Sequence, residues 1–312
     1  MNVVTALTDA AVADRTARTV AELAPAGLGW QPDGQAVLSG PLQWLGAGCD
    51  RAFAVLADAW RAEEEEYPAM IDVAALQAVD YLASFPQLAT FPVCLDADEA
   101  NLAEFAGREP LDPSGSVRFT RTAPVRQVLT PAACYHVYPH HRGETLTGAR
   151  YLSVGNTCFC REAYYEPLRR QWSFRMRELV CLGSRDEVTA FLARTRDRVA
   201  ALLGELDLPV EWAAATDPFF QPARNPRYLA QRVVPTKHEA LFGEDLAIAS
   251  VNLHEDHFGA AFGLQRDGRP AVTGCVAFGL ERWLYAITRR HGADPAGWPD
   301  PAAAATRAVS AA

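Results

Sequence analysis

The sequence predicts an α+β protein built on one antiparallel sheet, and three observations carry that expectation. Two long apolar, β-prone runs, Tyr151–Phe159 and Trp172–Leu182, flank a short polar loop, as two strands returning on each other would. From Tyr228 to Phe278 apolar runs follow one another with a tight Asp267-Gly268 turn between two of them, again a hairpin signal. Strands and helices do not alternate along the chain, which excludes a doubly wound parallel sheet and its nucleotide site.

Taken in order, residues 1–24 read as an amphipathic helix with Leu7, Ala11, Val12, Val20 and Leu23 on one side. A Gly/Pro-rich connection leads from Pro25 to Pro41. A second helix is expected over Cys49 to Glu66, with the Glu63–Glu66 run as its solvated end. Asp96 to Ala106 reads as a short helix, and Asp112-Pro113-Ser114-Gly115 as a turn. Leu129 to His136 enters a short helix with Cys134 near its start. There the helix N-terminus favours a thiolate and metal binding, although a small buried packing cysteine fits as well. The loop at 160–171 carries Arg161, Glu162, Glu166, Arg169 and Arg170, cations where a polyphosphate could be met.

Ser184 to Glu187 is a capping box that starts a helix with Val188, Phe191, Leu192, Val199, Leu202 and Leu203 facing inward. Asp217 to Arg227 is a Pro/aromatic loop. Strands are expected over Leu229–Val234, Leu246–Leu253, Phe258–Leu264 and Ala271–Phe278, and a helix over Gly279–His291. The Ala/Pro-rich end is expected to fray. The domain expectation is a helical extension at 1–48, a main domain at 49–292 and a flexible tail at 293–312.

The 312 residues are 49% hydrophobic and 21% charged, the composition of a globular protein. No apolar run reaches the roughly 18 residues of a membrane helix. The start of the chain has no basic region of a secretory signal, and seven cysteines without a framework suit the reducing cytoplasm. A net charge of −9 argues against a nucleic-acid surface. Lys237, inside Lys237-His238-Glu239, is the single lysine. His254 and His257, three apart with acids between, could form a second metal site but read rather as structural or hydrogen-bonding histidines, and Cys158, Cys160 and Cys181 read as packing residues.

Phe159 followed by Arg161 and Glu162, and then Arg170 with Phe174, resembles motif 2 of class II aminoacyl-tRNA synthetases. The stretch Gly274-Cys275-Val276-Ala277-Phe278-Gly279-Leu280-Glu281-Arg282 resembles their motif 3, and Tyr67 to Pro92 loosely resembles their motif 1 region at a dimer interface. The order of the motifs is that of the family. The resemblance implies the class II fold: an antiparallel sheet flanked by helices. It also implies ATP held by Arg161, Arg170 and Arg282, with Glu162 and Phe174 at the adenine and Lys237 and Glu239 beside ATP and Mg²⁺. Arg161 and Arg282 would be catalytic. One departure stands out: arginine and glutamate are adjacent here, and Cys160 occupies the place where the family often has its arginine.

Within class II, Cys134, Glu178 and Cys275 resemble the zinc ligands of the atypical seryl-tRNA synthetases, with Ser250 and Asn252 lining a small pocket. The tRNA-binding part has no counterpart, because only about 40 residues precede Pro41. Over roughly residues 60–290 the chain is similar to their truncated relatives, the amino acid:[carrier protein] ligases. That resemblance implies a homodimeric, cytoplasmic ligase with Zn²⁺, Mg²⁺ and ATP. It would activate glycine or alanine, with serine a third candidate, and pass it to a phosphopantetheinylated carrier protein rather than to tRNA. Arg224, Arg227 and Arg232 are the candidate docking cations. A tRNA-charging enzyme and a non-catalytic sensor or regulatory paralogue are the alternatives.

Overall fold

The computed structural model describes residues 9–311. Leu7, one of the residues assigned to the first helix, lies outside them. The elements that matter below are, in chain order, helix α1 (Asp9–Leu23), helix α2 (Gly40–Asp58), strand β1 (Glu63–Glu66), strands β2 (Arg150–Phe159) and β3 (Ser173–Gly183), helix α3 (Arg185–Glu205), strand β4 (Val210–Ala215), helix α4 (Pro226–Val233), strands β5 (Lys237–Phe242) and β6 (Leu246–Glu255), helix α5 (His257–Phe262), strand β7 (Val272–Gly279), helix α6 (Leu280–His291) and helix α7 (Pro301–Ala311).

Seven strands form one sheet in the order β1-β2-β3-β7-β6-β5-β4. Every neighbouring pair is antiparallel except β1 and β2, which run parallel at one edge. The α+β expectation holds, and the four expected strands at 151–159, 172–182, 246–253 and 271–278 fall on β2, β3, β6 and β7.

Alternation along the strands sends successive side chains to opposite faces. Leu179, Cys181, Val276, Phe278, Ala249 and Val251 enter one core with α2, α3, α6 and α7. Val180, Leu182, Leu152, Val154, Cys158 and Cys275 enter a second core on the other face. In the first core Phe53 of α2 stacks on Phe278 at 4.2 Å and meets Trp283 of α6 edge-on at 4.9 Å. In the second, Tyr138 stacks on Phe258 at 3.9 Å.

Several elements depart from the sequence expectation. The second helix starts at Gly40, nine residues before Cys49, and so crosses the expected boundary between extension and main domain. It ends at Asp58; Arg61 then takes a left-handed backbone (φ 53°), and Glu63–Glu66 form β1 instead of a helical end. Cations balance those acids: Arg150 reaches Glu63 at 3.0 Å and Arg177 reaches Glu64 at 3.0 Å.

Residues 229–233, expected as strand, lie in α4. Asn225 accepts hydrogen bonds from the N–H groups of Arg227 and Tyr228, and Pro226 opens the first turn, so a capped start outweighs the β-branched residues that follow. Residues 258–262, also expected as strand, form α5, rich in Gly and Ala and closed by Gly263 at φ 68°. The tail expected to fray is α7, which packs on α2 and α3 with Ala304, Ala305 and Ala308 buried: small residues allow close helix approach. The capping box at Ser184 and Glu187 forms as expected.

Gly259 brings α5 against β7. A Cβ there would lie 2.0 Å from the Ala271 carbonyl oxygen, whereas a Cβ on Gly204 in α3 would meet nothing within 4 Å. Gly259→Ala should therefore cost about 1–3 kcal/mol or more. Gly204→Ala should gain up to about 1 kcal/mol by helix propensity. Chemical denaturation of the two variants should give midpoints displaced in opposite directions.

Candidate functional site

Register alone assembles the floor of the site. Glu178 on β3 pairs with Ala277 on β7, Ala277 with Ser250 on β6, and Ser250 with Glu239 on β5. One step along, Val180 pairs with Cys275, Cys275 with Asn252, and Asn252 with Lys237. Residues directly opposite share a face, and i and i+2 on a strand do too, so all of these point to one side of the sheet. A cavity of about 960 Å³ lies on that side, lined among others by Cys134, Glu178, Lys237, Ser250, Asn252 and Cys275.

Cys134, in the single turn Ala133–His136, hangs over the strands. Its sulfur, a Glu178 carboxylate oxygen and the Cys275 sulfur lie within 4.8 Å of one another, and all three residues are buried. The Cys134 N–H donates to Glu178 Oε1 at 3.3 Å. Asn252 Nδ2 donates to Cys275 Sγ at 3.4 Å and to Ser250 Oγ at 3.0 Å. A hydrogen bond with Cys275, burial and the nearby Glu178 push the Cys134 thiol well above its usual range. The turn start thus does not favour a thiolate in the protein alone, contrary to the sequence reading. On Cys275 the Cys134 contact works downward, but burial and Glu178 leave that thiol raised too.

Two sulfurs and a carboxylate crowded out of water are a donor set that fits Zn²⁺, whose bonds to these atoms are about 2.0–2.3 Å. Three protein ligands leave a fourth position open. A divalent cation would also relieve the charge problem that raises both thiols. A second grouping, Glu65, His140 and His141, sits at the sheet edge. There the His141 nitrogens are already engaged, by Glu65 at 2.9 Å and Glu144 at 2.8 Å.

Deeper along β5, Lys237 Nζ donates to Asp217 Oδ1 at 3.0 Å and approaches Glu239 Oε1 at 3.2 Å. Burial works against its charge, yet the two carboxylates raise its pKa. Asp217 was read only as part of a loop; nothing in its local sequence shows that it would meet the lone lysine 20 residues later.

None of Arg161, Glu162, Arg170, Phe174, Glu239 and Arg282, the residues that the resemblance assigns to ATP, lines the cavity, although Glu239 touches the cavity-lining Lys237. Arg282 in the first turn of α6 is half-buried; its Nε donates to the Arg169 carbonyl and its Nη1 to the Ala247 carbonyl, both at 3.0 Å. Burial and the neighbouring Arg170 hold its pKa below the usual arginine value. Arg170 pairs with Glu162 at 2.6 Å and lies over the Tyr164 ring. Arg161 is exposed, its N–H bonded to the Leu88 carbonyl at 3.1 Å. Phe174, opposite Cys158 on β2, packs against the second core.

The loop itself is braced. Buried Glu166 accepts from Arg15 of α1 at 2.6 Å and from Arg169 at 2.9 Å. Arg175 binds Glu281 through its side chain (2.8 Å) and its N–H (2.9 Å), tying β3 to the start of α6.

His254, for which the sequence reading prefers a structural or hydrogen-bonding role over a second metal site with His257, lines the cavity with Nε2 at 3.6 Å from Cys275 Sγ. Cys160, read as a packing residue, also lines it. Arg227 is held by Asp80 at 2.8 Å and the Val79 carbonyl, which leaves Arg224 and Arg232 as the freer cations near α4.

No family model matches the chain. Amino acid–[acyl-carrier-protein] ligases 1 and 2 of Bradyrhizobium diazoefficiens are each 36% identical to it, over 245 and 246 residues. Both alignments take in 76% of this chain, with 74% and 72% of theirs. A type-2 serine–tRNA ligase of Methanopyrus kandleri is 27% identical over 192 residues, 56% of this chain and 36% of that protein. Among solved structures, the M. kandleri seryl-tRNA synthetase in complex with A. aeolicus tRNASec superposes with a TM-score of 0.75 at 19% identity, over 96% of this chain and 60% of that one. The cytoplasmic serine–tRNA ligase of Naegleria fowleri, in complex with AMP, gives 0.65 at 11% identity, over 96% and 65%. At those identities the structural likeness is one of fold.

Burial beside Glu162 pushes the Cys160 thiol up to about 12. At pH 8 that leaves the thiolate, the form that alkylates, scarce. Iodoacetamide at pH 8 followed by peptide mass spectrometry should modify the exposed Cys94 first and leave Cys160 unmodified on the same timescale.

Proposed function

Because the chain belongs to the amino acid–[acyl-carrier-protein] ligase family, and is thus a ligase on the class II aminoacyl-tRNA synthetase fold, we propose that it activates a small amino acid with ATP and transfers it to the phosphopantetheine thiol of a carrier protein. The observation that carries this reading is the buried Cys134–Glu178–Cys275 cluster in a cavity that also receives Lys237, Ser250 and Asn252.

In the proposed first step a carboxylate oxygen of the amino acid attacks the ATP α-phosphorus and pyrophosphate leaves. Catalysis of that step is mainly positioning and neutralisation of charge. Arg161 would hold the α-phosphate, and Arg170 and Arg282 the outer phosphates, with Arg282 preset by the two carbonyls it already binds. Glu162 and Phe174 would meet adenine; Glu239, next to Lys237, would help hold Mg²⁺.

Cys134, Glu178 and Cys275 would hold Zn²⁺, which when bound offers an open coordination position to the neutral amino group of the substrate. Ser250 and Asn252 close a space that admits glycine or alanine, with serine as the larger candidate. In the second step the carrier thiol sulfur attacks the adenylate carbonyl, AMP leaves and the thiol gives up its proton. The apolar part of the cavity, with Tyr81, Phe85 and Phe219, suits the pantetheine arm.

The carrier would approach α4, where Leu229, Val233 (81% exposed) and Val234 face solvent beside Arg224 and Arg232. Carrier proteins are acidic, so those cations would offset the net charge of −9 locally. The working unit is proposed to be a homodimer.

ATP–pyrophosphate exchange across the amino acids should show glycine or alanine as best substrate. Arg282→Ala should lower that rate on the order of 10²-fold. Unchanged kinetics would show that Arg282 does not touch the phosphates, and no exchange with any amino acid in zinc-loaded protein would sink adenylation. Intact-protein mass spectrometry should show a holo carrier gaining one aminoacyl group and the apo carrier none; charging of bulk tRNA at a comparable rate would overturn the carrier reading.

Metal analysis should find about one zinc per chain. Cys134→Ala and Cys275→Ala should each remove it. Cys160→Ala and Cys181→Ala should retain it; depletion of zinc by the latter pair would show the ligand set to be wrong.

A further inference from the structure

We infer that His254 is a positioning residue for the metal site: its Nε2–H donates to the Cys275 sulfur and, with Asn252, sets that thiolate's direction and charge. The inference rests on the zinc reading above. It starts from a sulfur with two nitrogen neighbours, Asn252 Nδ2 at 3.4 Å and His254 Nε2 at 3.6 Å. Both come from β6, which lies beside β7 with Asn252 opposite Cys275.

The ring is held from its far side. Its Nδ1 lies 3.2 Å from the Tyr138 hydroxyl and 3.1 Å from Thr273 Oγ1, and both of these residues are fully buried. The Phe258 ring meets the imidazole edge-on at 5.0 Å. A hydroxyl can donate to Nδ1, and a neutral imidazole that accepts at Nδ1 carries its proton on Nε2. A metal-bound sulfur is an acceptor only. An acceptor-only sulfur at Nε2 therefore goes with one hydroxyl, Tyr138 or Thr273, donating to Nδ1 and Nε2–H donating to Cys275.

The chemistry gives this contact a purpose. Two thiolates and a carboxylate bring three negative charges to a divalent ion, and excess electron donation weakens the ion as an acceptor for a neutral amine. Hydrogen bonds from Asn252 and His254 draw charge from one of the sulfurs without adding a ligand. Groups of this kind around a metal tune affinity by about 10–100-fold.

The test uses full-length protein loaded with Co²⁺, whose thiolate charge-transfer absorption reports the electron richness of the sulfur, alongside chelator competition for Zn²⁺. His254→Leu should move the absorption to longer wavelength and weaken zinc binding about 10–100-fold. His254→Gln, which returns an N–H near the Nε2 position, should keep both values close to those of the unaltered protein. Tyr138→Phe, which removes one hydroxyl from Nδ1, should shift the absorption in the direction of His254→Leu by a smaller amount.

A His254→Leu protein with unchanged absorption and affinity overturns the inference, and so does His254→Gln behaving like His254→Leu. Should the leucine variant fail to fold, His254→Gln and a Tyr138→Phe/Thr273→Val protein, which removes both hydroxyls from Nδ1, decide alone, and any pattern but an unmoved glutamine variant and a shifted double variant overturns it. Unaltered protein that takes up no cobalt brings down the zinc reading as well. Metal uptake with unmoved variants removes only the role of His254.

Discussion

The site depends on the register of four strands. Glu178, Ala277, Ser250 and Glu239 form one row across β3, β7, β6 and β5, and Val180, Cys275, Asn252 and Lys237 form the next. A slip of one residue anywhere in that array would turn a strand over. Glu178 or Asn252 would then enter the core where Leu179 and Val251 now lie against α2, α3 and α6. Burying such groups without partners costs several kcal/mol each, so the apolar face enforces the arrangement of the polar one. Gly274 shows how tight that enforcement is. A Cβ there would come 2.8 Å from Val188 Cγ1 and 2.9 Å from the Asn252 carbonyl oxygen, beside the residue that carries the Cys275 sulfur.

The ion pairs follow the same division of labour. Arg175 with Glu281 and Arg177 with Asp50 and Glu64 bind the opposite face of β3 to α6, α2 and β1. Glu166, held by Arg15 and Arg169, ties the charged loop between β2 and β3 to α1. The loop that carries Arg161 and Arg170 is anchored through a buried carboxylate, so its cations start from a preorganised position. Arg282 is similarly preset by backbone carbonyls from the loop and from β6. Fixed donors lose little on meeting a polyanion, which on the proposed ATP reading is the advantage of such a layout.

Much of this was legible in the sequence because long strands announce themselves by length and residue type. β2, β3, β6 and β7 were readable within a residue or two, and with them the faces that carry Glu178 and Cys275. The two helices read as strands, α4 and α5, are short, and their residues 229–234 and 258–264 are apolar runs of a length that strands share. What decides them is local: the Asn225 cap with Pro226 in one, the small residues before Gly263 in the other. The last helix was missed for another reason, since an Ala-rich end has no periodicity until a neighbour supplies a surface. The meeting of Lys237 with Asp217, and of His254 with Cys275, was not legible at all. The first follows from a loop meeting β5 and the second from the pairing of β6 with β7, and no residue type at either place signals the partner.

The charge of the buried cluster also bears on what it is for. A pocket that had only to recognise an ammonium group would do best with carboxylates and carbonyls, which accept hydrogen bonds strongly. Sulfur is a weak acceptor, and two buried thiols beside Glu178 make a poor ammonium site; their raised pKa values reflect how little the protein alone does to stabilise negative charge there. The same atoms are good ligands for a borderline-soft divalent ion. On the proposed zinc reading the cluster selects for an amine in its neutral form. A hydroxy acid of the same size, which has no amine to offer, is discriminated by a lost bond and not by shape. If the substrate is glycine or alanine, as proposed, one methyl group is worth only about 1–3 kcal/mol of discrimination, and the lost bond is the stronger filter.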